Sequence, residues 1–408
     1  MRPKTWTVVI GIFLLLALLT GAGSAGFVAG WMVAPKASQA QISSNSVGAS
    51  ADKPTDTDTL FKPFWEAWEL VHDYYMVQPV DDVKLMQGAI RGMIEGLGDP
   101  HSSYMDPFEY EIATDSFSGE YEGIGAWVNT EGEYLTIAEP MPGSPAEKAG
   151  LLPGDQIIAI DGESMTGVDP LVARRKVLGP ARTTVVLTIL RDGVEEPFDV
   201  SITRASISVP SVTHEMLDGK IGYVKIIQFG DKTSDELKSA LRDLLKQEPA
   251  GLILDLRNNP GGGLTTAIEV ASQFLKGGVV LYEEYGDGSR KTHKVVPGGL
   301  ATDIPLVVLV NQFSASASEV VAGAIQDAGR GTLVGVTTYG KGTVQNWIPL
   351  SDNQGAVRIT IARWLTPNNR EIQEQGLTPD VVVEMTTEDM QANLDPQLDK
   401  AVEILLEK

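Results

Sequence analysis

Apolar residues recur every three or four positions from Phe61 onward (Phe64, Trp68, Val71, Tyr75), the spacing that lines one face of a helix. A second helix is expected over residues 83–96, broken by Gly98-Asp99-Pro100-His101-Ser102-Ser103-Tyr104. Residues 118–204 alternate with a period of two. They predict a β-rich unit with strands at 134–138, 156–160, 184–191 and 196–202 and a short helix at 145–150. From residue 205 strands and helices take turns, which implies an α/β architecture with βαβ units. There, Leu252-Ile253-Leu254-Asp255-Leu256 reads as a strand, followed by a glycine loop and a helix from about Leu264. Another strand is expected at 305–310, a helix from Ser316 to about Asp327, and strands at 332–336 and 343–349. The tail, residues 395–406, is an amphipathic helix that packs either on its own core or on a second subunit.

The N-terminal segment follows a different rule. Residues 5–35 carry no charge, and 8–33 are mostly apolar, enough for a membrane-spanning helix of about 20 residues. Gly21-Ala22-Gly23-Ser24-Ala25 offers small residues suited to signal-peptide cleavage, which would give a secreted protein. The apolar run continues past that point through Phe27, Val28, Trp31 and Met32, so an uncleaved anchor in the cell membrane is the expectation. Arg2 and Lys4 precede it and place the N-terminus in the cytoplasm and the rest outside. Residues 36–58 are rich in Ser, Ala, Asp, Thr and Gln and read as a flexible linker.

At 408 residues the chain should hold more than one domain, and it has no cysteine to form disulfides. A core of this size needs none. The net charge of −22 argues against nucleic acid and against docking on anionic lipid; it reads as solubility outside the membrane.

Candidate chemistry concentrates between residues 304 and 345. A strand leads into Ser314-Ala315-Ser316-Ala317-Ser318-Glu319 at a helix start, and a second strand is followed by Gly340-Lys341-Gly342. A serine hydroxyl becomes a useful nucleophile when a base takes its proton, and a lysine serves if burial keeps it neutral. Serine also caps helices, and Gly-Lys-Gly is also an ordinary turn. A third segment, Arg257-Asn258-Asn259-Pro260-Gly261-Gly262-Gly263, joins a strand to a helix and presents backbone N–H groups to an oxyanion or a phosphate. Residues 335–341 match most of a nucleotide-binding loop. However, Gly342 stands where the magnesium-holding hydroxyl belongs and a strand follows, so phosphate binding is rejected. The four histidines, His72, His101, His214 and His293, lie outside the 304–345 segment. His101-Ser102 sits in a proline turn that favours local hydrogen bonds over catalysis. No metal-ligand cluster and no cofactor motif is visible.

The blocks L-R-N-N-P-G-G, S-A-S-A-S-E and Y-G-K-G-T-V-Q, in this order, resemble the signatures of the C-terminal processing (tail-specific) peptidases. The resemblance runs from about Phe61 to the C-terminus. It implies a crotonase-like, caseinolytic-protease-like catalytic core with Ser316 as nucleophile, Lys341 as general base and Gln345 positioning the lysine. The backbone N–H groups of Gly262 and Ala317 would form the oxyanion hole, with Glu319 in support. Ala317 follows the nucleophile at a helix N-terminus, where negative charge is favoured. Lys341, Thr343 and Gln345 are expected on one face of a strand.

The β-rich unit resembles a PDZ domain, which captures peptide C-termini by strand addition. Its carboxylate loop would be Gly123-Ile124-Gly125-Ala126, implying protein substrates with free apolar C-termini. Family members commonly carry Arg-Gly where this chain has Leu178-Gly179, with Arg182 just beyond. The expected division is anchor 1–35, linker 36–58, N-terminal helical region 59–117, PDZ domain 118–204, peptidase core 205–390 and C-terminal helix 391–408. The function implied is a membrane-anchored extracytoplasmic serine endopeptidase, with homo-oligomers or an adaptor protein left open. The competing readings are a PDZ scaffold with an inactive core and an acyl-CoA enzyme of crotonase type. The second has no use for a PDZ domain or an anchor.

Overall fold

A computed structural model describes residues 56–407. The anchor expected over residues 1–35, and the linker up to residue 55, lie outside them. Among the described residues no helix is long and apolar enough to cross a membrane. Helix α1 (Thr57–Tyr74) contains a boundary: residues up to Glu69 belong to one unit and those from Leu70 onward to another. All elements below lie in the second.

Helix α2 (Asp82–Glu95) starts where the Asp81 side chain accepts the Lys84 N–H. Strand β1 (Ser103–Met105) and helix α3 (Pro107–Ser118) follow. Helix α3 was not foreseen, because it lacks a clear apolar stripe. A capping box between Asp106 and Glu109, with Pro107 in the first position, starts it instead.

Next come β2 (Glu120–Gly123), β3 (Ala126–Asn129), β4 (Leu135–Pro140), α4 (Pro145–Lys148), β5 (Gln156–Ile160), β6 (Glu163–Ser164), α5 (Pro170–Val177), β7 (Thr184–Leu190), β8 (Phe198–Thr203) and β9 (Ala205–Ser208). Strands β3-β4-β5-β7-β8 form one sheet, with β6 on β5. Its core holds Leu135, Ile137, Ile157, Val185, Leu187 and Ile189, all fully buried. Each such side chain contributes about 1.5–3 kcal/mol. Strands β2 and β9 pair with each other, Gly123 opposite Ala205. The chain thus enters and leaves this unit through one two-stranded ribbon.

The remaining chain contains β10 (Val212–Leu217), β11 (Ile221–Ile226), α6 (Thr233–Leu245), β12 (Gly251–Asp255), α7 (Leu264–Phe274), β13 (Val279–Tyr285), β14 (Arg290–Lys294), β15 (Leu306–Val310), α8 (Ala317–Asp327), β16 (Thr332–Gly335), β17 (Thr343–Pro349), β18 (Ala356–Leu365), β19 (Val381–Val382), α9 (Thr387–Gln391) and α10 (Pro396–Leu406). The main sheet runs β10-β11-β12-β15-β16-β19, parallel from β11 to β19. Every residue of β12 and β15 is buried, which explains why both read as continuous apolar runs. Buried residues of α6, α7 and α8, including Leu241, Val270 and Val321, join the core on the sheet. Helix α10 packs Ala401 and Leu405 against Ile221, Ile253 and Val307, so the tail helix lies on its own core.

A second sheet runs β1-β18-β13-β14, with β17 also on β18. It ties the N-terminal region to the peptidase core: Ser103 pairs with Arg358, and Arg358 with Trp347.

Candidate active site

Ser316 caps helix α8 with φ 52° and ψ −112°, a backbone region that a side-chain-bearing residue occupies at a cost of about 1–3 kcal/mol. Local bonds hold it there. Ala315 donates its N–H to the Asn259 carbonyl, and the Ser318 hydroxyl donates to the same oxygen. The Ser316 N–H goes to Glu319 Oε2 at 2.8 Å.

Glu319 is 0% exposed, and its carboxylate accepts three further bonds. They come from the Thr338 hydroxyl (2.6 Å), the Gly340 N–H (2.7 Å) and the Lys341 N–H (2.9 Å). Burial pushes its carboxyl above the usual range, and these donors pull it back part of the way. One buried carboxylate therefore fixes the backbone of both Ser316 and Lys341. The same carboxylate also closes the capping box at the start of α8.

Lys341 is also held from its carbonyl, which accepts the Trp364 indole N–H at 3.0 Å. Burial pushes its ammonium below the ordinary lysine range, and Arg358 adds to the effect, while Asp99 and Glu319 oppose it. Among the described residues its side chain makes no hydrogen bond, to Ser316 or to any other group. Catalytic hydrogen bonds are often long before substrate arrives. Gln345 donates to the Thr343 and Thr360 hydroxyls (2.9 and 3.1 Å) and not to Lys341. The expected common strand face is also interrupted: β17 begins only at Thr343, and its ladder on β18 slips between Val344 and Gln345.

The glycine loop closes over Ser316. At Gly261, φ is 103°, and a Cβ there would lie 2.9 Å from the Ser316 Cβ and 2.7 Å from the Ala315 carbonyl oxygen. At Gly262, φ is 148°, and a Cβ would meet the Phe229 oxygen at 2.2 Å. Phe229 bonds Gly261 and Gly263 on either side. Among the described residues the N–H groups of Gly262 and Ala317 have no hydrogen-bond partner. Both N–H groups are therefore free to donate.

The 98–103 turn, read as locally bonded, also reaches further. The Ser102 hydroxyl donates to Asp99 at 2.6 Å and accepts the Thr360 N–H at 3.0 Å. Burial lowers the His101 imidazole, and the charge of Lys341 lowers it further. No three His, Asp or Glu side chains among the described residues are placed to hold a metal.

A second concave region, of about 490 Å³, extends from β3 and α5 to residues 209–211 and 227–232, and includes Tyr121, Ile124, Trp127, Met141, Arg174 and Leu178 together with Ile227 and Lys232. Of the expected carboxylate loop, Ile124, Gly125 and Ala126 line it and Gly123 does not. Ile124 and Gly125 use their carbonyls to hold Ala146 and Met141. Among the described residues their N–H groups are unpartnered. Leu178 and the Tyr121 ring cover Gly123. Arg182 is exposed and does not line this groove, whereas Arg174 does.

Three family models match the chain: peptidase family S41 over residues 220–383, the activating protease CtpB N-terminal domain over 18–108, and the PDZ domain over 136–191. The chain is 43% identical over 328 residues to the carboxy-terminal-processing protease of Bartonella bacilliformis, covering 79% of this chain and 74% of that one. With the carboxy-terminal processing protease CtpA of Bacillus subtilis it shares 39% identity over 346 residues, covering 84% and 73%. The solved structure of an S41-class protein from Bacteroides fragilis has a similar fold, with a TM-score of 0.52 at 18% identity, covering 84% of this chain and 97% of that one.

Proposed function

Because the chain belongs to the S41 family of carboxy-terminal-processing serine peptidases, we propose that it cleaves protein substrates with Ser316 as nucleophile and Lys341 as general base. In this reaction Ser316 Oγ attacks the scissile carbonyl carbon while its proton passes to the neutral Lys341 amine. The Gly262 and Ala317 N–H groups receive the oxyanion. The lysine ammonium then protonates the leaving amide nitrogen as the C–N bond breaks. Water, deprotonated by the same lysine, hydrolyses the acyl-serine ester. Gln345 has its role at one remove, keeping the strand beside the lysine in place.

The observation that carries this reading is the shared Glu319 carboxylate, which holds the Ser316 and Lys341 backbones in one register. Ser316→Ala and Lys341→Ala should each lower cleavage of an unfolded protein by on the order of 10⁴–10⁶, with unchanged circular dichroism. Ordinary cleavage by purified Ser316→Ala protein would refute it.

Substrate tails bind in the groove beside β3, the terminal carboxylate against the Ile124 and Gly125 N–H groups and the apolar side chain beside Ile124. The apolar N-terminal segment anchors the enzyme with its catalytic part outside the cell. Proteolysis of intact cells tests the topology: loss of the catalytic part from the outside is the expected result, and its full protection contradicts the proposed orientation.

A further inference from the structure

The turn between α2 and β1 is remote in sequence from the serine and lysine segments, yet its polar groups end at the lysine strand. Asp99 holds the turn together, accepting the His101 N–H at 2.9 Å and the Ser102 hydroxyl at 2.6 Å. Ser102 in turn accepts the Thr360 N–H from β18. The Thr360 hydroxyl faces the Asp99 carboxylate and accepts the Gln345 amide at 3.1 Å. Gln345 lies opposite Thr360 in the β17–β18 ladder and also grips Thr343, two residues beyond Lys341.

We propose that the Asp99–Ser102 turn is a positioning element of the hydrolytic centre, acting on Lys341 through Ser102, Thr360 and Gln345. The inference rests on Lys341 being the general base. Asp99 gives this relay its charge. Burial alone would raise its carboxyl, but the Ser102 and Thr360 hydroxyls and the His101 N–H hold it below the usual range, so it stays ionised. The groups that face the lysine are then Asp99 and His101 from the turn, Arg358 from β18 and Glu319 from α8. Arg358 has a buried Nε without a hydrogen-bond partner, so its charge is poorly neutralised. Asp99 supplies the opposing charge. It steadies the ammonium that forms when the lysine takes the serine proton, and the hydroxyl–amide chain keeps the strand at the right distance.

The test uses the full chain, a quenched peptide with a free apolar C-terminus, and pH profiles of kcat. Asp99→Asn should lower kcat on the order of 10²-fold with KM little changed, since a small displacement of a catalytic group has that effect. The rising limb of the profile should also move to lower pH, because the carboxylate favours the protonated lysine. A merely structural Asp99 would lower kcat without moving the limb, and that result overturns the proposal, as does a wild-type rate with an unmoved limb. If Asp99→Asn does not fold, the Thr360 pair decides. Thr360→Ser keeps the hydroxyl and should retain the wild-type rate, while Thr360→Val should lose it. Equal rates in the two variants overturn the proposal. Lys341→Ala run in parallel separates the two levels, since an active Lys341→Ala enzyme removes the general-base reading itself.

Discussion

Glu319 and Lys341 are a buried acid and a half-buried base with opposite displacements, and each follows from its surroundings. The Glu319 carboxylate meets four donors and no cation. In Glu319→Gln one acceptor oxygen becomes an NH₂ group facing N–H groups. We expect a stability loss on the order of 1–3 kcal/mol, read by thermal melting, together with loss of cleavage. For Lys341 the sign follows from the chemistry. In the proposed mechanism only the neutral amine accepts the serine proton, so activity should rise with pH as the ammonium deprotonates. Burial brings that rise below the ordinary lysine value of about 10.4. Arg358 disfavours the ammonium, so Arg358→Gln should move the rise to higher pH. A kcat/KM profile for the variant that shifts to lower pH would contradict this electrostatic account.

At the scale of elements, the catalytic turns depend on glycine for space. Gly261→Ala should abolish cleavage, because a methyl group at φ 103° would press on the Ser316 Cβ and the Ala315 carbonyl. A melting temperature and a serine-directed probe will show whether the fold survives while the nucleophile is misplaced. Much of this scale was legible in the sequence. Strands β12 and β15 show as unbroken apolar runs because parallel strands are covered on both faces, and the Ser316, Lys341 and Gly262 segments are each local motifs beside such strands. The sheet β1-β18-β13-β14 was not legible. Its pairings join distant segments, and no local pattern announces that Ser102 will bond Thr360, 258 residues away. The same distance hid Asp99 and Arg358. Gln345 was singled out from its block, but its partners Thr343 and Thr360 depend on a bulge that alternation does not reveal.

For the whole molecule, the PDZ unit, the proposed tail-binding part, hangs from one ribbon. Gly123 and Ala205 face each other across β2 and β9, and such antiparallel partners lie about 4.5–5.5 Å apart at Cα. A short turn replacing residues 124–204 should therefore leave a folded core that still degrades an unfolded protein but no longer prefers a free C-terminus. Comparing free and amidated peptides measures that preference. Equal discrimination by the intact and shortened enzymes would mean that the tail is read elsewhere. Arg174 gives the groove a cation that Leu178 does not supply, so Arg174→Ala should weaken binding of free tails several-fold and leave amidated tails almost unaffected.

The four-donor carboxylate also bears on how the enzyme is made. Glu319 leaves the ribosome before three of its donors, Thr338, Gly340 and Lys341, and a charge in that core without them has nothing to offset its loss of water. A nascent chain that stops short of Thr338 therefore holds Ser316 through its own bond to Glu319 and its neighbours' bonds to Asn259, with no tie to the lysine segment. On the proposed mechanism the site is complete only once residues 338–341 have joined the fold, late in synthesis.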